Sequence, residues 1–537
     1  MKKTMKQHSF TSQLKSLAVV FGIALAFASC ANEDVAQNPT NPNEDNNKNL
    51  TTFVAGDETK TRTSLNYNSS DFYWEAGDYI YVKDDDGTLQ KSSNAPTSKV
   101  ASFKYKVPGK FTAHTSYKVY YLGKNSNATD KKVTISTAQT QTKPDNTEHF
   151  GTAGDYGTAT ATKVTGKQQF AFELEHQAAY LVFQPYTSNT VLHDCYLTKI
   201  EVTSDNDIAE TYTVNTSTDN LDASAVTNGK KIVLTTSGSS SNPNGFPLTN
   251  SSASVTTNGA YMVIKPGTHI LRVRYWVRDV ATGVSGTITK LLPSTAYASN
   301  TYYDVTANLN VRDYDGTKYY MWDAQQNYWA GHEWNSASPW QPTLTTQPAN
   351  PNYPKSNADT RWYNGGGGSG RFDATQSCAG LPNANEMSWY CMYGDPRWDA
   401  DELWTTMGHL HKGGMWFKKK SVLQAENHYN TEKSADNTTD MRTTYKNYSN
   451  TNSSIKNSGL PSAADANKYF YLPSLGYYYS GGLGYVGSMG DTGYCWSSSA
   501  SPRLYDSNYA YALRCYSGTV HVYLEYRYIG HRVDGFE

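Results

Sequence analysis

Apolar and polar residues alternate in short runs over most of this chain, and Gly, Asn, Asp and Pro break the runs. A period of two is the signature of strands that turn one face to a core. Phe170, Phe172 and Leu174 fall on one face of such a run, and Ala179, Leu181 and Phe183 on one face of the next. Further β-prone runs stand at 51–54, 72–74, 78–82, 100–105, 117–122, 197–202, 261–264, 270–277, 290–293 and 302–305. Asp84-Asp-Asp-Gly87 reads as a hairpin turn, with Gly at the positive-φ position. One helix start is marked: Asn383 is placed to cap, with Glu386 three residues on to close a capping box. Two stretches lack the strand period. Residues 17–27 are continuously apolar behind Lys2, Lys3, Lys6 and Lys15, too short for a typical membrane span and patterned as a targeting signal. Residues 31–49 are rich in Asn, Pro, Asp and Glu and cannot bury a core. They predict a flexible tether reaching on the order of 25 Å.

Composition narrows the class. A chain of 537 residues has room for about three or four domains. With 43 Tyr, 40 Gly and a charged fraction of 18%, it fits extracellular β modules better than a helical cytosolic enzyme. A net charge of -1 gives no footprint for nucleic acid, which needs clustered Lys and Arg. The expected division is 1–29 signal, 30–49 tether, 50–168 a first β-sandwich, 169–310 a second, and 311–537 a mixed α+β domain. That last block holds ten of the 12 tryptophans, from Trp322 to Trp496. Trp329, Trp334, Trp340, Trp362 and Trp398 are the candidate binding face, because exposed aromatics stack on sugars or peptide at small entropic cost. Trp389, Trp416 and Trp496, on regular patterns, are assigned to the core. Outside Cys30 the cysteines number five, so at least one stays unpaired. The sequence-local pairings Cys378–Cys391 and Cys495–Cys515 stand beside buried free thiols, since spacing alone does not bring sulfurs together. No constellation of catalytic residues emerges. Gly365 to Gly370 formally contains Gly-x-Gly-x-x-Gly but has neither the preceding strand nor the following helix of a phosphate cradle. His409 and His411 alternate as two ligands would, without the Cys, His or carboxylate partners a zinc site needs. His176 is read as a hydrogen-bonded structural histidine. The expectation is a non-enzyme with no cofactor and no metal.

Four resemblances add to this reading. Ala26-Phe27-Ala28-Ser29-Cys30 resembles a bacterial lipobox, which implies cleavage before Cys30, acylation of that cysteine and an outer-membrane anchor. Glu33 and Asp34 just after it resemble a surface-export signal of Bacteroidetes lipoproteins. Phe53, Thr61-Arg62-Thr63, Trp74 and Gly77-Asp78-x-Ile80-x-Val82 resemble the N-terminal domain of Bacteroidales fimbrillin-like proteins, and Leu174-Glu-His176-Gln-Ala-Ala179 the strand that opens their second sandwich. Ser299-Asn300 stands where that family usually has Pro-Gly. Leu381-Pro-x-x-x-Glu386, Trp496-Ser-Ser and Gly530-x-Arg532-Val533 resemble C-type-lectin-like and Fibrobacter-type paralogous domains, although the calcium signatures of sugar-binding C-type lectins are absent. The resemblances imply a cell-surface tip adhesin of a fimbria. Cleavage at Arg62 would release the first strand, another subunit's strand would take its place, and the C-terminal domain would bind a host or microbial glycan or protein. A non-polymerising glycan-binding surface lipoprotein is the alternative. An enzyme of the formylglycine-generating type would need a reactive cysteine pair that maps to neither Cys495 nor Cys515.

Overall fold

The computed structural model describes residues 5–9, 50–56, 64–67, 71–124, 131–457, 459–479, 484–534 and 536–537; Cys30 and Arg62 lie outside them. The protein is mostly β, as the alternation predicts. Its first sheet runs, in order, through Leu89–Lys91, Tyr81–Lys83, Ser116–Tyr121, Gly157–Lys163, Gln169–Phe172, Leu50–Ala55 and Phe103–Pro108. Leu50–Ala55 therefore sits inside the sheet, parallel to Gln169–Phe172 and antiparallel to Phe103–Pro108. Its alternation turns Phe53 and Ala55 into a core with Trp74, Tyr105 and Phe170. Phe53 stacks on Phe170 with ring centroids 5.2 Å apart.

The second sandwich closes on a larger core. One layer sets Ala179–Tyr186 parallel to Thr301–Asn308 and antiparallel to Ala260–Ile264. Met5–Ser9 runs antiparallel along Thr301–Asn308, in a stretch that processing before Cys30 would remove. The facing layer holds Cys195–Ser204, Gly267–Asp279 and Ser285–Tyr297. Leu181, Phe183, Ile200, Val202, Val273 and Tyr275 fill the space between. Strands from earlier in the chain join this body: Lys132–Thr134 pairs with Glu210–Asn215, and Ala138–Thr140 with Lys231–Thr235. His176 has the structural role expected of it, with Nδ1 2.9 Å from Asp155 Oδ2, while Tyr180 donates to the same carboxylate at 2.6 Å.

The facing layer does not stop at the second sandwich. Ser285–Tyr297 meets Arg397–Thr406 in parallel at Thr287 and Glu402, and the sheet continues through His409–Lys418 to Tyr469–Pro473. Gly286 makes this seam possible, because a Cβ there would lie 2.3 Å from the Asp401 carbonyl oxygen. A bulge between Asp399 and Leu403 carries two carboxylates to the seam. Asp399 takes the Arg274 guanidinium at 2.8 Å and the Trp416 indole N–H at 3.1 Å. Glu402 accepts from Thr287 Oγ1 at 3.0 Å, Thr289 N at 2.9 Å and Thr289 Oγ1 at 2.6 Å. Desolvation, with Asp399 close by, pushes the Glu402 carboxyl up to about 7. Leu403 inserts into the core of the second sandwich.

Beyond the seam, Thr492–Ala500, Tyr509–Tyr516 and Thr519–Tyr526 form the centre of a second C-terminal sheet, flanked by His531–Arg532 and Tyr448–Asn450. The helix Ala384–Tyr393 packs on it. Its capping box forms as the sequence predicts: Asn383 Oδ1 accepts from Glu386 N at 3.0 Å and Glu386 Oε2 from Asn383 N at 2.8 Å. The cysteine pairings considered above are not formed. Cys195, Cys378, Cys391, Cys495 and Cys515 are all free and buried. Cys378 packs with Trp322 and Trp496, whereas Cys391 lies in a separate cluster with Leu513. Cys495 faces Leu513 in the ladder, so Cys515 is its diagonal neighbour. A diagonal separation of about 7–8 Å is too wide for a disulfide.

Candidate functional site

Among the described residues, a surface shaped as a binding site is built from the loops between Tyr319–Tyr320 and the capped helix, a stretch with no long helix or strand. Residues 329–361 wrap over a core of Tyr328, Trp329, Met407 and Tyr478 and leave two open pockets of about 630 Å³ each. Trp340 lines both. The first is completed by Asn352, Tyr353, Lys355, Ser356 and the Asp359–Arg361 turn. The second is completed by Trp334, Thr343, Gln347 and His409, with Pro339, Pro342 and Pro348. Each volume lies in the range of about 300–1,000 Å³ common to small-molecule sites.

The loop is held rigidly. Trp340 N donates to the His332 carbonyl at 2.9 Å, and the His332 imidazole lies flat on the indole, 3.2 Å between centroids and 9° between planes. His332 Nδ1 is fixed in turn at 2.9 Å from the Ser338 carbonyl. Gln341, 6% exposed, is the anchor beneath. Its amide nitrogen reaches the Gly316 carbonyl at 2.7 Å and Tyr478 Oη at 3.1 Å, and its Oε1 accepts from Trp334 N at 3.1 Å. Tyr478 donates to the Pro342 carbonyl. The Trp334 ring packs over the chain at Gly408, whose φ of +77 suits the residue without a Cβ. Thr343 Oγ1 sits 3.3 Å from His409 Nε2.

Charges in the cleft are nearly balanced. Arg361 binds Asp359 through Nε at 3.0 Å and Nη2 at 2.6 Å, and holds that carboxyl below its ordinary range. Lys355 is exposed, its ammonium 5.2 Å from the Tyr353 ring centroid. Among the described residues, the side chains of Asn352 and Ser356 make no hydrogen bond.

The five candidate tryptophans separate. Trp334 and Trp340 are half-buried and line the cleft. Trp362 is half-buried on the same loop, tilted against Tyr363 with ring centroids 4.9 Å apart, and lines neither pocket. Trp329 is 1% exposed and lies in the core beneath the loop. Trp398 stands apart, against the cluster under the capped helix. Of the three assigned to the core, Trp389 and Trp496 are fully buried, while Trp416 is half-buried at the seam. Sequence reasoning missed His332, Gln341 and the Asp359–Arg361 turn. The close spacing of Asp359 and Arg361 pointed to a local ion pair, but Asp395 with Arg397 and Asp440 with Arg442 share that spacing away from the cleft, so it did not single out the site.

No family model and no curated protein matches this sequence. Solved structures do. A protein ascribed to cell adhesion from Bacteroides ovatus matches over 48% of this chain and 93% of its own, at 14% identity and a TM-score of 0.29. The fimbrial anchor protein Mfa2 from Porphyromonas gingivalis matches over 46% and 82%, at 12% identity and a TM-score of 0.21. A fimbrial protein from Bacteroides ovatus matches over 89% and 99%, at 11% identity and a TM-score of 0.25. Likenesses at this level fix neither family nor function.

Proposed function

We propose that this protein is a cell-surface adhesin of the fimbrial kind, carried to the outer membrane by a lipid on Cys30, whose C-terminal domain engages its ligand at the Trp334–Trp340 cleft. The observation that carries this reading is the cleft itself. It is a concave, aromatic and polar surface on a loop that is braced from below, and the sheet beneath it is continuous with one layer of the second sandwich. Braced loops on a rigid scaffold are where binding residues concentrate. The finer reading is a tip subunit assembled by strand exchange. It is supported by the place of Leu50–Ala55, which is lodged between two strands with Phe53 and Ala55 fully buried. Cleavage at Arg62 would free that strand and open a groove of unpaired backbone groups, which a strand of another subunit would satisfy. The alternative remains a non-polymerising surface lipoprotein that uses the same cleft without cleavage.

Two measurements test the reading. Beads coated with the full chain should adhere to target cells, and the double variant Trp334→Ala/Trp340→Ala should lose that adherence while retaining its circular dichroism. Adherence by the double variant at the level of the native chain would remove the cleft from the account. Mass analysis of the mature N-terminus from the surface of producing cells then separates the two assemblies: a start at Thr63 fits strand exchange, and a start only at lipidated Cys30 fits the non-polymerising form.

A further inference from the structure

The chemistry lining the cleft says what class of ligand it takes. Resting on the adhesin reading above, we propose that the cleft binds an uncharged oligosaccharide without a metal ion, with one sugar ring packed on Trp340 and neighbouring units in the two pockets on either side.

Four observations carry this. First, a single indole borders both pockets. A pyranose has an apolar C–H face and a rim of hydroxyls, so it suits an aromatic platform flanked by polar groups; a chain of such rings suits two adjoining recesses. Second, the platform is set before any ligand arrives. His332 lies flat against one side of Trp340, and main-chain bonds fix both residues. A rigid ring loses little entropy on binding. Third, hydroxyl partners are at hand. The side chains of Asn352 and Ser356 border the first pocket with no hydrogen bond among the described residues; at the second, Thr343 holds the Gln347 Oε1, and the Gln347 Nε2 makes no hydrogen bond among the described residues. Fourth, the charge is nearly spent. Among the described residues, Asp359 is the one carboxylate lining the cleft, and the Arg361 guanidinium already holds it at two contacts, which leaves there neither an unpaired carboxylate for calcium nor an unpaired buried cation to select an anion. The remaining charge, on Lys355, is exposed. A protein ligand would instead favour a contiguous apolar centre, and the three prolines of the second pocket do not join into one with the amide- and hydroxyl-rich first pocket.

The test is an array of neutral and acidic oligosaccharides probed with the full chain in excess EDTA, followed by titration of the best binder against variants. Neutral glycans of two or more units should bind and EDTA should leave them bound. Trp340→Ala should weaken binding roughly tenfold or more, equivalent to about 1.4 kcal/mol. Asn352→Asp, an exposed change that spares the platform and the fold, should weaken a neutral ligand and keeps the test valid if Trp340→Ala fails to fold. Tyr505→Ala, at an exposed side chain that lines neither pocket, should bind as the native chain does. Binding confined to acidic glycans, loss of binding in EDTA, or unchanged affinity in both Trp340→Ala and Asn352→Asp each overturns the proposal. If no glycan binds but cell adherence still depends on Trp334 and Trp340, the ligand is a protein: this inference fails and the adhesin reading stands. If adherence is also indifferent to the two tryptophans, both fail.

Discussion

His531 is 1% exposed, with neither ring nitrogen hydrogen-bonded among the described residues. Tyr494 stacks on it at 4.6 Å and Trp496 packs at 4.5 Å. Burial, with Arg514 nearby, lowers its pKa to about 3, and burial likewise lowers that of His149 to about 4. Both are neutral in the folded protein and would gain a proton on unfolding below about 6.5. The unfolded chain then binds more protons, so stability falls with acid in the window between 6.5 and the folded values. At about pH 4.5 each should cost on the order of 2–3 kcal/mol. Thermal melts at descending pH should show the loss, and His531→Phe should flatten part of it; a slope unchanged by that substitution would remove His531 from the account. The cysteines give a second expectation at this scale. Burial pushes the Cys391 and Cys515 thiols up to about 12, and those of Cys378 and Cys495 higher, so they stay protonated. Thiol labelling should find Cys195, Cys378, Cys391, Cys495 and Cys515 unreactive in the native protein and all free after denaturation.

Elements owe their positions to different causes. The helix Ala384–Tyr393 begins where Asn383 satisfies the first free N–H groups, a local rule readable in the sequence. Asn383→Ala should cost about 1 kcal/mol, read as a lower melting temperature, while Asn383→Asp should cost little. The strand Cys195–Ser204 shows where local rules stop. Alternation predicts its inward face, yet a bulge between Leu197 and Lys199 resets the register against Gly267–Asp279. The side-chain pattern fixes which face is apolar and leaves open where one residue is skipped. The cleft loop is the extreme case. Trp334 and Trp340 were legible as candidates because aromatics in irregular, proline-bearing sequence have no period to bury them. Trp329 carried the same signal, and only the packing of Tyr328, Tyr478 and Gly484 around it put it inside.

At the scale of the whole molecule, the seam decides how the C-terminal domain is carried. Arg274 and Asp399 are both buried there, at 8% and 2% side-chain exposure. Removing one partner leaves an uncompensated buried charge, so Asp399→Ala should destabilise the joint by about 3–5 kcal/mol. Hydrogen exchange at the amides of Thr287 to Thr289 should report it as lost protection, while the first sandwich keeps its own. Glu402 makes the same joint pH-dependent. Around it stand Thr287, Thr289 and Lys290 from one strand, Arg272 and Arg274 from the next, Tyr471 from Tyr469–Pro473, and Asp399 on its own. Its folded pKa of about 7 lies above the ordinary carboxyl value. The stabilisation is therefore complete below the unfolded value, near 4.5, and is lost as pH rises through 7. Protection at the seam should weaken from pH 6 to 8, and Glu402→Gln should abolish that change; a seam equally protected at both would refute it. This trend runs against that of His531, so the C-terminal domain should be held most firmly in mildly acidic solution, between the window where His531 destabilises and the rise through 7.

The sequence by itself determined the properties set within a few residues: strands from a period of two, the helix start from Asn383 and Glu386, the inward faces around Phe53, Phe170 and Leu181, and the aromatic wealth of the C-terminal block. Each depends on neighbours along the chain, so each is written in local pattern. Tertiary structure alone decided which tryptophan is core and which lines a cleft, that Cys495 and Cys515 are diagonal rather than opposite, and that one sheet crosses the seam beside Gly286. It also brought Arg274 to Asp399, and His332 against Trp340. These depend on register and on contacts between distant segments, where a shift of one residue turns a side chain to the opposite face, and no local period encodes them.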